Sequence, residues 1–137
     1  MLQGITIGFS QAAASRSFRR PCNDIWELIT DTWSWPQWGP SVKAVKCNVR
    51  FIRQGTGGKV RTAAGIWLPF TINRYEEGHF WSWTVAGIPA TGHRVKPQED
   101  GLCQLTFEVP IIAAPYAYIC RIALERIGNA LDKRRKI

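Results

Sequence analysis

The sequence has few of the residues from which metal sites and nucleophile sites are built. It contains two histidines and four cysteines, with no C-x-x-C pair, so no metal site is predicted. No G-x-S-x-G motif and no credible Cys–His dyad are present, which argues against catalysis by a Ser or Cys nucleophile. The glycine-rich segment 55–58 lacks the following Lys-Ser/Thr of a phosphate-binding loop and predicts a hairpin turn. We therefore expect no cofactor.

Long apolar stretches and a secretory signal are also missing. No apolar run approaches the ~18 residues of a membrane span, and the start lacks the basic-then-apolar pattern of a signal peptide. We therefore expect a cytoplasmic protein in which Cys22, Cys47, Cys103 and Cys120 are reduced. A length of 137 residues predicts one domain over 1–137 that folds without disulfides or metals.

The net charge of +8 allows two interpretations. The cations could attract an acidic partner, such as nucleic acid or an anionic membrane, or they could form a solvated basic surface. They are spread along the chain except at 133–136, where they follow a predicted helix and complement its dipole. We favour the solvated surface. Nucleic acid is then disfavoured as a partner, membrane contact is expected only as a transient event, and a homodimer stays open.

Hydrophobic periodicity predicts an α+β protein. Residues 4–19 predict an irregular first strand and 21–31 a short amphipathic helix, while two prolines limit 33–40 to a turn or a very short helix. Alternation then predicts six strands in an antiparallel meander. They lie near 42–51, 59–64, 68–73, 81–85, 92–97 and 103–109. The period becomes helical over about 114–134, and only the sheet can cover that apolar stripe.

The first third of the chain also carries a family resemblance. Its residues are Pro21, Asp24, Ile25, Trp26, Leu28 and Asp31, then Trp35-Pro36-Gln37-Trp38 and Pro40-Ser41-Val42. They resemble the opening of START-like proteins in the polyketide cyclase/dehydrase and lipid transport superfamily, where a P-x-x-x-V/I-W-x-L-x-x-D helix precedes a P-x-W-x-P turn. The later strands and closing helix are similar too. The resemblance implies a helix-grip fold: a curved seven-stranded antiparallel sheet around a long C-terminal helix, with one or two short helices after the first strand.

The resemblance also implies a cavity between sheet and helix. Family members include lipid carriers, plant hormone binders, aromatic cyclases and uncharacterised binding proteins, and fold alone does not choose among them. We expect this chain to bind or carry a small hydrophobic molecule, lipid-like or aromatic. Two alternatives stay open: an enzyme of the cyclase/dehydratase type that uses a cavity histidine, and an interaction module with a basic surface. Non-catalytic binding is favoured, and no catalytic residue can be carried over.

The cavity wall is predicted from the inner faces of the strands and the last helix. Trp81 and Trp83 share one face of a strand and would offer an apolar wall with N–H donors. His93, expected to point inward with Val95, is a candidate general acid/base, unless a register slip exchanges it with Arg94. The predicted ligand-binding residues are Phe70, Trp81, Trp83, His93, Phe107, Tyr116, Ile119 and Ala123.

Other aromatic and charged residues are expected outside the cavity. The aromatic segment 33–40 is interpreted as a hydrophobic plug at one end of the sheet, with a gate over the cavity entrance as the alternative. Tyr75 is expected to pack at the rim. By strand alternation, Arg61, Arg74 and Glu108 are expected to face outward.

Overall fold

The computed structural model describes residues 3–7, 11–110 and 117–135, and the side chains of 13–109 and 120–134. Three α-helices are formed there: α1 (Cys22–Thr30), α2 (Trp35–Trp38) and α3 (Ala117–Arg135). The strands are β1 (Gln3–Ile7), β2 (Gln11–Phe18), β3 (Ala44–Cys47), β4 (Gly57–Arg61), β5 (Trp67–Glu76), β6 (Phe80–Val85), β7 (Ile88–Pro97) and β8 (Cys103–Pro110). They make an antiparallel sheet in the order β1-β2-β8-β7-β6-β5-β4-β3.

The helix-grip architecture predicted from the sequence is confirmed. The seven predicted strands correspond to β2–β8, and α3 is the long closing helix. The segment 4–19 differs in detail, because it forms β1 and β2, which pair with Ile5 opposite Ala14. The small alanines of β2 carry no alternating apolar signal, so the sequence did not reveal where one strand ended and the next began.

Strand β3 is shorter than the predicted 42–51. Its ladder with β4 ends at residue 47, and Val49 and Phe51 are exposed. Beyond β3 the backbone pairs with the end of α1 instead, where the N–H of Thr32 donates to the carbonyl of Arg50 over 2.7 Å. The strand prediction for 48–51 was therefore wrong, because apolar alternation does not distinguish a sheet ladder from this local pairing.

Asp31 fixes the turn that follows α1. Its buried carboxylate accepts hydrogen bonds from the Trp33 N–H at 3.0 Å and the Ser34 hydroxyl at 3.1 Å. The Arg50 guanidinium adds two more, at 3.1 and 3.0 Å. A carboxylate satisfied in this way can stay buried. The turn delivers α2 and its aromatic side chains to the concave face of the sheet.

Helix α3 packs one stripe on the sheet, chiefly on β2. The buried stripe is Cys120, Ala123, Leu124, Ile127, Ala130 and Leu131, and the opposite face is Arg121, Glu125, Asn129 and Asp132. At Gly128 a Cβ would lie 2.6 Å from Nη1 of Arg16, whose guanidinium donates to the Leu124 carbonyl. Because Gly128 has no side chain, the Arg16 side chain can lie across α3. No helix in the described part of the chain is both long and apolar enough to cross a membrane.

The structure corrects one expectation about the cysteines. Cys22 and Cys103 form a disulfide, with Cα atoms 5.4 Å apart, that ties the start of α1 to the start of β8. Four reduced cysteines were expected, because 81 residues separate this pair in the sequence and no local spacing motif marks it. Cys47 and Cys120 are free. The expected cytoplasmic location was linked to four reduced cysteines, and this disulfide removes that support.

The disulfide can be tested by counting thiols. Protein purified without reductant and then denatured is expected to show two reactive thiols out of four cysteines. The variant Cys22→Ala/Cys103→Ala should lower the free energy of unfolding by about 2–5 kcal/mol, because the bond closes a long loop in the unfolded chain. The control Cys47→Ala removes a free thiol and should change stability by less than about 1 kcal/mol. Four reactive thiols would contradict the pairing.

Candidate ligand-binding cavity

Three stacked rings cross the interior from α2 to β7. The Trp35 ring lies parallel to Trp81, with centroids 5.4 Å apart and planes 12° apart. Trp81 in turn stacks on His93, with centroids 3.7 Å and planes 18° apart. Trp81 and His93 are direct cross-strand partners on β6 and β7, so the sheet register itself aligns their rings. We call Trp35, Trp81 and His93 the aromatic column; all three are buried.

Further aromatic rings meet the aromatic column edge-on. Trp83 lies 5.3 Å from Trp35 and 5.8 Å from Trp81, measured between ring centroids. On the other side, Phe107 of β8 lies 4.9 Å from His93, and Trp38 of α2 lies 5.8 Å from Phe107. Tilted and edge-to-face pairs at these distances are favourable. The interior is therefore filled largely by rings from α2, β6, β7 and β8.

Two cavities border these rings. The inner cavity has a volume of about 40 Å³, enough for a few water-sized molecules. The outer cavity has about 250 Å³, just below the usual range for small-molecule sites. The inner one is lined by Trp35, Trp38, Gly39, Pro40, Ser41, Val42, Trp81, Trp83, Thr91, His93, Phe107, Cys120 and Ala123. The outer one is lined by Ser41, Val42, Val60, Thr62, Trp83, Val85, Pro89, Ala90, Thr91 and Val109. The four shared residues place the cavities side by side.

Three tryptophans of the inner wall have unsatisfied donors. The indole N–H groups of Trp38, Trp81 and Trp83 are buried without a hydrogen-bond partner, and they make up three of the four such side-chain atoms in the described residues. Other tryptophans here are paired: Trp26 donates to Glu77 and Trp35 to a backbone carbonyl, each at 2.9 Å. An unsatisfied buried donor costs about 1–3 kcal/mol. Three of the tryptophans that line the inner cavity therefore carry unused hydrogen-bond donors.

His93 is held as a neutral ring. Its Nδ1 lies 3.2 Å from the Trp81 carbonyl oxygen, and a carbonyl can only accept, so Nδ1 carries the proton and Nε2 does not. Burial lowers the pKa of His93 from 6.5 to about 3, against a smaller opposing effect of that hydrogen bond. At neutral pH the ring therefore brings no charge to the cavity, and its free nitrogen is an acceptor.

The structure brings together most of the residues that the sequence predicted for the cavity. Those that line the inner cavity are Trp81, Trp83, His93, Phe107 and Ala123. Phe70 is buried but packs behind the wall, with its ring 5.4 Å from Trp35 and 5.7 Å from Trp83 between centroids. Tyr116 and the side chain of Ile119 lie outside the described residues.

Helix α2 was not predicted to form part of the cavity wall. Trp35 and Trp38 are 2% and 6% exposed, and both line the inner cavity. Their spacing of three on a helix puts both rings on one face, and this signal would have placed them with Trp81 and Trp83. Cys120 and Thr91 were also missed as lining residues.

Polar groups expected outside the cavity do lie elsewhere. Arg94 Nε donates to Glu108 over 2.7 Å on the outer face of the sheet. The Tyr75 hydroxyl donates to Glu77 over 2.6 Å, and desolvation, followed by that hydrogen bond, raises the pKa of Tyr75 to about 12. No group of three or more His, Cys, Asp or Glu in the described part of the chain could hold a metal ion.

Comparison with known proteins identifies the family and the fold. The model of the family described as polyketide cyclase/dehydrase and lipid transport matches residues 11–118. A solved structure from Rhodobacter sphaeroides is similar with a TM-score of 0.72 at 16% identity, covering 96% of this chain and 99% of that one. Protein MLL2253 from Mesorhizobium loti gives 0.72 at 14%, covering 90% and 97%. Protein Ms6760 from Mycobacterium smegmatis gives 0.66 at 14%, covering 93% and 95%. No curated protein matches significantly.

The buried neutral His93 predicts a pH-dependent stability. Below pH 6.5 the unfolded chain takes up a proton at His93, whereas the folded ring does so only near pH 3. The free energy of unfolding should therefore fall with decreasing pH in this window, by about 1.4 kcal/mol per pH unit from this residue. The variant His93→Phe keeps an aromatic ring but has no group that takes up this proton. Urea unfolding at a series of pH values should therefore show a weaker pH dependence of its free energy of unfolding.

The second histidine provides the control for this measurement. His79 is exposed, so His79→Gln changes a histidine outside the buried core. Equal slopes for wild type and His93→Phe would show that His93 is not held neutral by burial.

Proposed function

This chain belongs to the polyketide cyclase/dehydrase and lipid transport family, and we propose that it binds a small, mainly apolar molecule that carries a hydrogen-bond acceptor. The ligand would occupy the inner and outer cavities, between the sheet and helices α2 and α3. The observation that carries the proposal is the set of three buried, unpaired indole N–H groups, all on tryptophans that line the inner cavity. The family fold is compatible with ligand binding.

Unpaired buried donors lower the stability of the folded protein, and a core with a purely structural role has no need of them. Their presence therefore argues for ligand binding. Phenylalanine would fill space at Trp38, Trp81 or Trp83 without burying an N–H group. An acceptor atom that reaches these N–H groups recovers the lost hydrogen bonds. A site of this kind also rejects close analogues that lack the acceptor, because its donors then stay unpaired. Such a wall therefore favours ligands with a carbonyl or ether oxygen over plain hydrocarbons.

The cavity lining favours an uncharged ligand. Among the described residues, no Lys, Arg, Asp or Glu lines either cavity, and His93 is neutral. A charged group would be buried without a counterion, which is strongly unfavourable. The outer cavity presents the valines Val60, Val85 and Val109, which suit the apolar part of the ligand. The free Nε2 of His93 could accept from a ligand hydroxyl group.

A matched pair of probes tests the proposal. We expect 2-acetylnaphthalene to bind more tightly than naphthalene by about tenfold in isothermal titration, since its carbonyl can pair with an indole N–H. The variant Trp83→Phe should reduce this difference, with little effect on naphthalene. The matched control Trp33→Phe, at an exposed tryptophan that lines neither cavity, should preserve it.

Two results would contradict the proposed binding. Equal affinity for both probes in the wild type would mean that the unpaired donors do not select an acceptor. Binding of neither probe, together with native mass spectra that show no retained small molecule after gentle purification, would mean that the cavities do not take up a ligand.

Catalysis of the cyclase or dehydratase type is a second candidate function, favoured by the place of His93 in the cavity wall. We rank it second because a ring whose pKa is about 3 is a weak general base. The Nδ1 proton is already donated to the Trp81 carbonyl, so the neutral ring has none to give a substrate.

Nitrogen NMR of the His93 ring separates the two candidate functions. Simple binding predicts one neutral tautomer, protonated on Nδ1, from about pH 5 to about pH 8. General acid/base catalysis predicts that Nε2 titrates near neutral pH once a probe such as 2-acetylnaphthalene occupies the cavity.

A further inference from the structure

Trp83 lies where the register of the sheet is interrupted. Between β6 and β7 the cross-strand pairs shift by one residue, so that Trp83 of β6 faces two residues of β7, Ala90 and Thr91. Between β5 and β6 the pairs shift again, and Asn73 of β5 is the extra residue there. Bulges of this kind bend a strand and re-aim side chains, often beside binding sites. The two interruptions meet at Trp83.

The side chain of Trp83 stands between the two cavities. It lines both of them, and the other residues that do so, Ser41, Val42 and Thr91, have much smaller side chains. Ala90 and Thr91 both line the outer cavity, although consecutive side chains of a regular strand point to opposite faces. The bulge thus widens the outer cavity next to Trp83. The indole ring is the largest barrier between a space of about 40 Å³ and one of about 250 Å³.

Trp83 is the least restrained of the four tryptophans that line the inner cavity. Trp81 is stacked on both faces, by Trp35 and by His93, and Trp35 also donates a hydrogen bond. Trp83 meets its aromatic neighbours only edge-on, with planes 64–78° apart, and its N–H is unpaired. It is half-buried, whereas Trp35, Trp38 and Trp81 are buried. A ligand therefore displaces the Trp83 ring at the lowest cost.

We propose that Trp83 determines the length of the ligand that this site accepts. The proposal rests on the proposed function, because it concerns the same two cavities. The acceptor atom of the ligand would reach the N–H groups of Trp38 and Trp81 in the inner cavity, which has room for little else. The apolar part would lie in the outer cavity. Only a slender group passes beside the Trp83 ring, so the ligand class that fits is an apolar chain with its acceptor close to one end.

The outer cavity limits how much of such a chain is buried. Its valines, Val60, Val85 and Val109, give each methylene group apolar contact, which raises affinity about fourfold per group while space remains. Methylene groups beyond that length stay in water and add nothing. Without the Trp83 ring the two cavities would join, and the chain could lie deeper. The length at which affinity levels off should therefore depend on residue 83.

Two homologous series test this role in isothermal titration of the full chain. We expect the affinity of 2-alkanones, from 2-hexanone to 2-dodecanone, to rise about fourfold per methylene group and then to level off. Trp83→Ala should move the levelling-off point to chains about two or more methylene groups longer, because an indole ring occupies more space than two such groups. Ala90→Leu fills the outer cavity beside Trp83 and should move it to shorter chains. The n-alkylbenzenes, which carry no acceptor, should show the same shifts.

Control variants separate this role from general effects of substitution. Trp33→Ala removes an exposed tryptophan that lines neither cavity, so it should leave the levelling-off length unchanged. Circular dichroism and urea unfolding show whether each variant is folded. If Trp83→Ala does not fold, Trp83→Phe, with a smaller shift to longer chains, and Ala90→Leu decide the matter.

The outcomes for Trp83 and for acceptor selection are distinguishable. The same levelling-off length in the wild type, the Trp83 variants and Ala90→Leu would overturn the role of Trp83, and so would an equal shift in Trp33→Ala or no binding to any of these proteins. Shifted lengths in both series, with no preference for ketones, would support the role of Trp83 and contradict selection of an acceptor. Binding to Trp83→Ala but not to the wild type would show a barrier at Trp83 and contradict the proposed function.

Discussion

The burial of Trp35 in the concave face of the sheet is the contact on which the other layers depend. Its indole N–H donates to the Ile29 carbonyl at the end of α1, and its ring stacks on Trp81. One side chain thereby joins α1, α2 and β6. Because Asp31 fixes the turn before it, the stacking geometry follows from a short local segment. The inner cavity is the space that the Trp35 ring and its neighbours leave unfilled.

The interior combines dense packing with incomplete hydrogen bonding. Aromatic rings bury large apolar areas and stabilise the fold, yet three of them keep an N–H without a partner. A purely structural core would be more stable without those donors. Functional sites are where a protein tolerates such local costs. The three unpaired indole donors of Trp38, Trp81 and Trp83 are such a cost in this interior.

The fold was largely predictable because its periodicities are local. Alternation placed Trp81, Trp83 and His93 on one side of the sheet, and a helical stripe defined α3. What the sequence could not indicate depends on long-range geometry. The Cys22–Cys103 bond joins residues 81 positions apart, and the stacking of Trp35 requires the path of α2. The apolar alternation beyond residue 47 was misleading, because a short segment paired with α1 has the same pattern as a strand.

The tryptophans in and around the aromatic column also give the protein an intrinsic fluorescence signal. Four of the seven tryptophans surround the inner cavity, and ring centroids of Trp35, Trp81 and Trp83 lie 5.3–5.8 Å apart. Excitation absorbed by one indole passes readily to another at such separations. Emission from this group should therefore respond as a unit to any change at Trp81, whose ring rests on an imidazole. Tryptophan fluorescence would thus report changes at the stacked rings of Trp81 and His93.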